Sequence, residues 1–108
     1  MAFNANNPEV LVIDKDKTKE EKKTNKPKMW KVIIHNDDYT PMDYVVSILS
    51  KYFGHATDVA VNIMLDVHEK GKGIAGVYTY DIAETKAAIT NQNARNRNYP
   101  LLTTIEPE

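Results

Sequence analysis

Residues 29–42 read MWKVIIHNDDYTPM, and the fold is decided where this stretch changes character at His35. Up to that point Trp30, Val32 and Ile34 alternate with Lys31, Ile33 and His35, a two-residue period that predicts a strand with one mainly apolar and one mixed face. Asn36, Asp37 and Asp38 end the strand, because short amide and carboxylate side chains bond nearby backbone amides and favour turns. Thr40 followed by Pro41 predicts a helix N-cap with proline in the first helical position, and Asp43 gives an imperfect capping box.

Working outward, Met42, Val45, Val46, Leu49, Tyr52 and Phe53 recur at helical spacing, which predicts a helix over about 42–53 stopped by Gly54. A second start at Thr57, with Asp58 in the first turn, opens a helix over about 58–70. Its stripe is Val59, Ala60, Ile63, Met64, Val67 and His68, before Gly71. GIAGVYT, residues 73–79, reads as a second strand. Asp81 and Glu84 have capping-box spacing for a third helix, whose small stripe Ala83, Ala87 and Ala94 permits close packing on a sheet. The polar run NQNARNRN at 91–98 leaves its end undefined, and Pro100 and Pro107 bracket a last strand from Leu101 to Ile105. The order strand, helix, helix, strand, helix, strand predicts a single small α+β domain with three helices on one face of a three-stranded sheet.

A chain of 108 residues has room for one core. Apolar residues make up 42% and charged ones 27%, the ordinary globular range, so a wholly disordered or fibrous chain is not expected. Formal net charge is −1, which argues against binding nucleic acid through a strongly basic surface. There is no cysteine, hence no disulfide, thiolate zinc site or cysteine nucleophile. With no signal-like start and no apolar run near the roughly 20 residues that span a bilayer, no membrane association is expected and the cytoplasm is the simplest location. Residues 1–28 carry seven Lys against five acids, whereas 29–108 carry seven basic and ten acidic residues. DKDKTKEEKKTNKPK, residues 14–28, contains no apolar core former, so residues 1–27 are expected to be a flexible extension before a core domain at 28–108. The island Val10 to Ile13 inside the extension is either a docking strand for a partner or a loose segment touching the domain.

Three polar features could carry chemistry: the Asn36, Asp37, Asp38 run, His68 on an apolar stripe, and Met42 beside a proline. Each has a plain alternative, respectively turn chemistry, a histidine complementing a helix C-terminus, and ordinary core. An acidic loop and an imidazole could nevertheless converge on one edge of the domain. His35, Asp37, Asp38 and His68 could in principle bind a metal, but no two have the i, i+4 spacing of a zincin helix. Ser47 and Ser50 both fall inside a helix with no nucleophile elbow, and Gly71, Gly73 and Gly76 do not open a helix as a phosphate loop does. An enzyme is not expected, and no cofactor is called for.

VIIHNDDYTPMDYVV at 32–46, IMLDVHEKGKGIAGVYT at 63–79, DIAETK at 81–86 and the terminal PLLTTIEPE together resemble the ClpS family of adaptor proteins for AAA+ proteases, over about residues 29–108. The resemblance implies an N-degron recognition protein that binds substrates whose first residue is Leu, Phe, Tyr or Trp and hands them to a Clp unfoldase and its peptidase. By position it implies that Asn36, Asp38 and His68 hold the substrate's α-amino group, with Asp37 more loosely involved. It makes Thr40, Pro41, Met42, Val45, Met64, Val67 and Leu101 the hydrophobic pocket, with Met42 the gate against β-branched side chains. It places contact with the unfoldase's N-terminal domain at Asp81, Glu84 and Lys86, although Asp81 stands where a glutamate is usual. A monomer is expected. The competing readings are a small RNA- or ribosome-associated α+β protein using its lysine-rich tail, and a metal-dependent hydrolase built on Asp37, Asp38 and His68.

Overall fold

The computed structural model describes residues 26–108; the Val10 to Ile13 island and most of the expected extension lie outside the described residues. In chain order the elements are β1 (Met29–His35), α1 (Met42–Phe53), α2 (Thr57–Lys70), β2 (Lys72–Thr79), α3 (Tyr80–Asn96) and β3 (Leu102–Pro107). The three strands form one sheet in the order β2-β1-β3, antiparallel throughout, so β1 is central and both neighbours are edges.

The expected alternation places Val32 and Ile34, both fully buried, against the helices. Val45, Ile48, Leu49 and Phe53 of α1, Ala60 and Val67 of α2, and Ala83 and Ala94 of α3 close the core over them, together with Ala75 and Leu101. The alanine stripe of α3 lets that helix approach closely, and Thr90 on it is buried with its hydroxyl bonded back to Lys86 O and Ala87 O. Pairing of β1 with β2 slips at one point, where Val32 faces Gly76 and Ile33 faces Ile74, leaving Ala75 as the extra residue of a bulge. His55 Nε2 donates to the carbonyl of Ala75 at 2.6 Å, so the bulged backbone oxygen is satisfied.

The helix starts differ from the sequence expectation in their caps. α1 begins at Met42 with Pro41 in the cap position, and the Thr40 hydroxyl, instead of capping, donates to Asp37 Oδ2 at 2.8 Å. α3 begins at Tyr80 with Thr79 in the cap position and no side-chain cap bond. Asp81 and Glu84 therefore lie inside its first turns and are not its capping box. The reason is topological: β2 runs into α3 without a loop, so the last strand residue takes the cap position. The stop that the polar run left open is made by Asn98 in the left-handed region (φ 63°), with Tyr99 N returning to Ala94 O at 2.9 Å.

Candidate functional site

A cavity of about 210 Å³ opens at the His35 end of the sheet, between the β1–α1 loop and the last turn of α2. It is smaller than the roughly 300–1,000 Å³ typical of drug-sized ligand sites, and suits one side chain. Its walls are Thr40, Met42, Val45, Met64, Val67 and Leu101. Val45, Val67 and Leu101 are buried and form the apolar floor, whereas Met42, 46% exposed, stands at the mouth. Asn36, Asp37, Asp38 and His68 contribute the polar side.

Local structure explains why those polar groups meet. Gly71 ends α2 in the left-handed region (φ 92°), a conformation that costs a glycine little, and its N–H returns to Val67 O. The turn aims the Gly71 carbonyl at the strand end, where it accepts the Asn36 N–H at 2.9 Å. The next pair along the chain is His35 with Lys72, the first rung between β1 and β2. One backbone bond and one strand register thus fix Asn36 beside the final turn of α2, which carries His68.

Asp37 organises the loop. Its Oδ1 accepts the Tyr39 N–H at 2.8 Å and the Thr40 N–H at 2.7 Å, and its Oδ2 accepts the Thr40 hydroxyl. Burial pushes its pKa up, but those three donors and the nearby Arg95 guanidinium outweigh burial and hold the carboxyl below its ordinary value. With both oxygens engaged, Asp37 shapes the turn, while the side chains of Asn36, Asp38 and His68 are exposed and make no hydrogen bond to one another among the described residues. The site is therefore an apolar pocket with an amide, a carboxylate and an imidazole gathered on one side of its mouth.

The structure brings all the expected polar and wall residues to this cavity except Pro41, which sits at the N-cap of α1 with its carbonyl accepting Val45 N–H. It adds His35, considered from the sequence only as a possible metal ligand. His35 Nε2 is 2.7 Å from Thr104 Oγ1, tying β1 to β3 beside the pocket. Its place immediately before Asn36 is the signal that could have marked it. Among the described residues no group of three or more His, Asp or Glu side chains is arranged to hold a metal ion.

The three residues expected to meet an unfoldase separate into two kinds. Asp81 and Glu84 are exposed near the start of α3. Lys86 turns inward: its Nζ donates to Tyr52 O at 2.6 Å and stands 5.7 Å and 5.3 Å from the ring centres of Phe53 and Tyr78.

Comparison with known proteins gives a consistent answer. The profile of the family described as ATP-dependent Clp protease adaptor protein ClpS matches residues 25–104. The chain is 54% identical over 97 residues to the ATP-dependent Clp protease adapter protein ClpS of Acetivibrio thermocellus, covering 86% of this chain and 98% of that one. It is 50% identical over 91 residues to the protein of the same name from Deinococcus radiodurans, covering 84% and 80%. Among solved structures it is similar to Agrobacterium tumefaciens ClpS2 bound to L-phenylalaninamide, at 37% identity and a TM-score of 0.75, covering 77% of this chain and all of that one. No helix among the described residues is long and apolar enough to cross a membrane. Family membership selects the adaptor over the RNA-binding and hydrolase readings: the chain belongs to the ClpS family and is a non-catalytic adaptor of an ATP-dependent Clp protease.

Proposed function

We propose that the cavity binds the first residue of a protein substrate, holding its free α-amino group at Asn36, Asp38 and His68 and its Leu, Phe, Tyr or Trp side chain on Val45, Val67 and Leu101. The observation that carries this reading is the pairing of an apolar, one-side-chain pocket with a polar cluster on one side of its mouth. An α-amino group has an ordinary pKa of about 7.7 to 8.0, so at neutral pH it is mostly an ammonium with three donors. An amide oxygen, a carboxylate and a neutral imidazole nitrogen are three acceptors. L-phenylalaninamide, bound by the Agrobacterium relative, pairs a free α-amino group with a benzyl side chain and ends after one residue, which supports the same division of labour here.

Charge-assisted hydrogen bonds contribute about 1.5 to 3 kcal/mol each, and burial of one large apolar side chain about 1.5 to 3 more. Association costs at least several kcal/mol, so a net near −8 kcal/mol, roughly micromolar, is expected. That affinity suits a carrier that must release its load. The loaded adaptor, a cytoplasmic monomer in this reading, docks on the N-terminal domain of a Clp-type AAA+ unfoldase through the face that carries Asp81 and Glu84.

Affinity for peptides differing only at residue one tests the assignment. Leu, Phe, Tyr and Trp peptides should bind and Ser or Asp peptides should not, and acetylating the amino group should abolish binding. Asn36→Ala, Asp38→Ala and His68→Ala should each weaken it about tenfold or more without unfolding the domain, since all three side chains are exposed. Unchanged affinity for an acetylated peptide would remove the mechanism.

A further inference from the structure

All three helices close their core on the side of the sheet that carries Val32 and Ile34. The alternate residues of β1, Lys31, Ile33 and His35, lie on the opposite side, where no helix packs. The register supplies their neighbours: Ile33 is flanked by Ile74 and Thr104, His35 by Lys72 and Leu102, and Lys31 by Val77 and Glu106. The middle of this open face is therefore apolar. Ile33 is 4% exposed, while Ile74 and Leu102 are 48% and 46% exposed, large side chains with no core role. Lys72 and Lys31 stand on either side of that middle, and neither forms an ion pair among the described residues.

The chain itself holds a segment of matching character. Val10, Leu11, Val12 and Ile13 are the longest apolar run of residues 1–28, and acids bound the run directly, Glu9 before it and Asp14 after it. An apolar strip between two carboxylates matches an apolar strip between two lysines. Reach is not limiting. The chain joins the sheet at Met29, in the same alternation as Lys31 and Ile33, so it enters at one end of the open face. Residues 14–28 can span at most about 50 Å, and the face from Met29 to His35 is about 20 Å long.

We propose that the open face of the sheet is the docking surface for residues 10–13 of the same chain, with Ile33, Ile74 and Leu102 as its apolar floor and Lys31 and Lys72 facing Asp14 and Glu9. Four side chains on a flat face make a weak contact, sustained by the tether, whose effective concentration is on the order of millimolar. The docked and undocked forms are then both well populated, and global stability changes little. The pocket lies beyond the end of the sheet and is left open, so this assignment is independent of the first-residue reading.

The experiment uses the full chain. It has no cysteine, so Asn7→Cys accepts a single nitroxide label just ahead of the island, and methyl NMR reads which side of the domain the label visits. Val59, Leu65 and Ile89, exposed on the helical side, are the internal controls. The methyl signals of Ile33, Ile74 and Leu102 are expected to lose about twofold or more intensity relative to those controls. Leu11→Ser with Val12→Ser in the labelled chain should remove the difference, and Ile74→Glu, at an exposed position, should remove it for Ile33 and Leu102 from the other side. Equal loss on both sides of the domain, or a difference that survives Leu11→Ser with Val12→Ser, would overturn the assignment. A control mixes nitroxide-labelled chains with separate isotope-labelled ones: the same methyls weakening there as strongly would make a second copy the occupant and overturn it equally.

Discussion

A methyl group placed on Gly73 would lie 2.9 Å from Val67 Cγ2 and 3.4 Å from Ile63 O, closer than side chains tolerate without movement. Gly73 is thus what lets α2 press onto the start of β2, and Val67 is the wall that would give way. Gly73→Ala should push Val67 toward the cavity and lower affinity for Trp-initiated peptides more than for Leu-initiated ones, as a peptide titration would read. An equal loss for both would place the displacement away from the floor. Asp37 supports a second residue-scale expectation. Its pKa is depressed in the folded state, so the stability it contributes is fully present above its ordinary value near 3.8 and is lost as pH falls through the lower folded value. Asp37→Ala should therefore cost about 1 to 2 kcal/mol at pH 7 and progressively less as pH falls below the ordinary value near 3.8, measured by denaturant unfolding across that range. A cost independent of pH would mean that the ionised carboxylate is not what holds the loop.

At the scale of elements, what the sequence made legible was periodic. The two-residue rhythm of 30–35 and the apolar recurrence from Met42 to Phe53 located β1 and α1 because burial on one face enforces them. Caps were not legible in the same way, since Thr40 could serve either the helix or Asp37, and only the fold of the loop decides. Nor could composition reveal that Asn91 pairs with both backbone groups of Thr103, shielding part of the β3 edge across the turn. Of the site, the polar run and His68 were visible as anomalies, yet their meeting depends on the Gly71 carbonyl and the strand register, both long-range facts. Lys86 was the least legible, because a lysine near exposed acids reads as surface. Its ammonium instead clamps the end of α1, through Tyr52 O, to the Tyr78 ring of β2. Lys86→Met keeps the stem but should cost about 1 to 2 kcal/mol in stability, whereas Asp81→Ala and Glu84→Ala should stay within about 0.5. If Lys86→Met weakened unfoldase binding with full thermal stability, the ammonium would have to leave the rings to reach the partner.

Over the whole molecule, the strand direction of β1 separates two ends with different tasks. The chain enters the sheet at Met29, and the cavity lies past His35, about 20 Å away at the strand rise of roughly 3.3 Å per residue. Met29 pairs with Thr79, and α3 with Asp81 and Glu84 starts at the next residue, so the N-terminal segment leaves the domain beside the proposed unfoldase face and far from the pocket. Glu108 N–H donates to Met29 O at 3.0 Å, joining the two ends of the folded region, so a cut at residue 26 spares every bond of the sheet. Removing residues 1–26 should therefore leave the melting temperature and peptide affinity nearly unchanged. It should nonetheless slow degradation of a degron-tagged substrate by the unfoldase and its peptidase, because the segment removed holds six of the chain's lysines and joins the domain at Met29, beside the proposed docking face. Titration with a Leu-initiated peptide and a degradation assay on the same truncated protein separate the two tasks. Weakened peptide binding would show that the segment reaches the pocket after all, and degradation at the full rate would show that the acidic face of α3 suffices for delivery by itself.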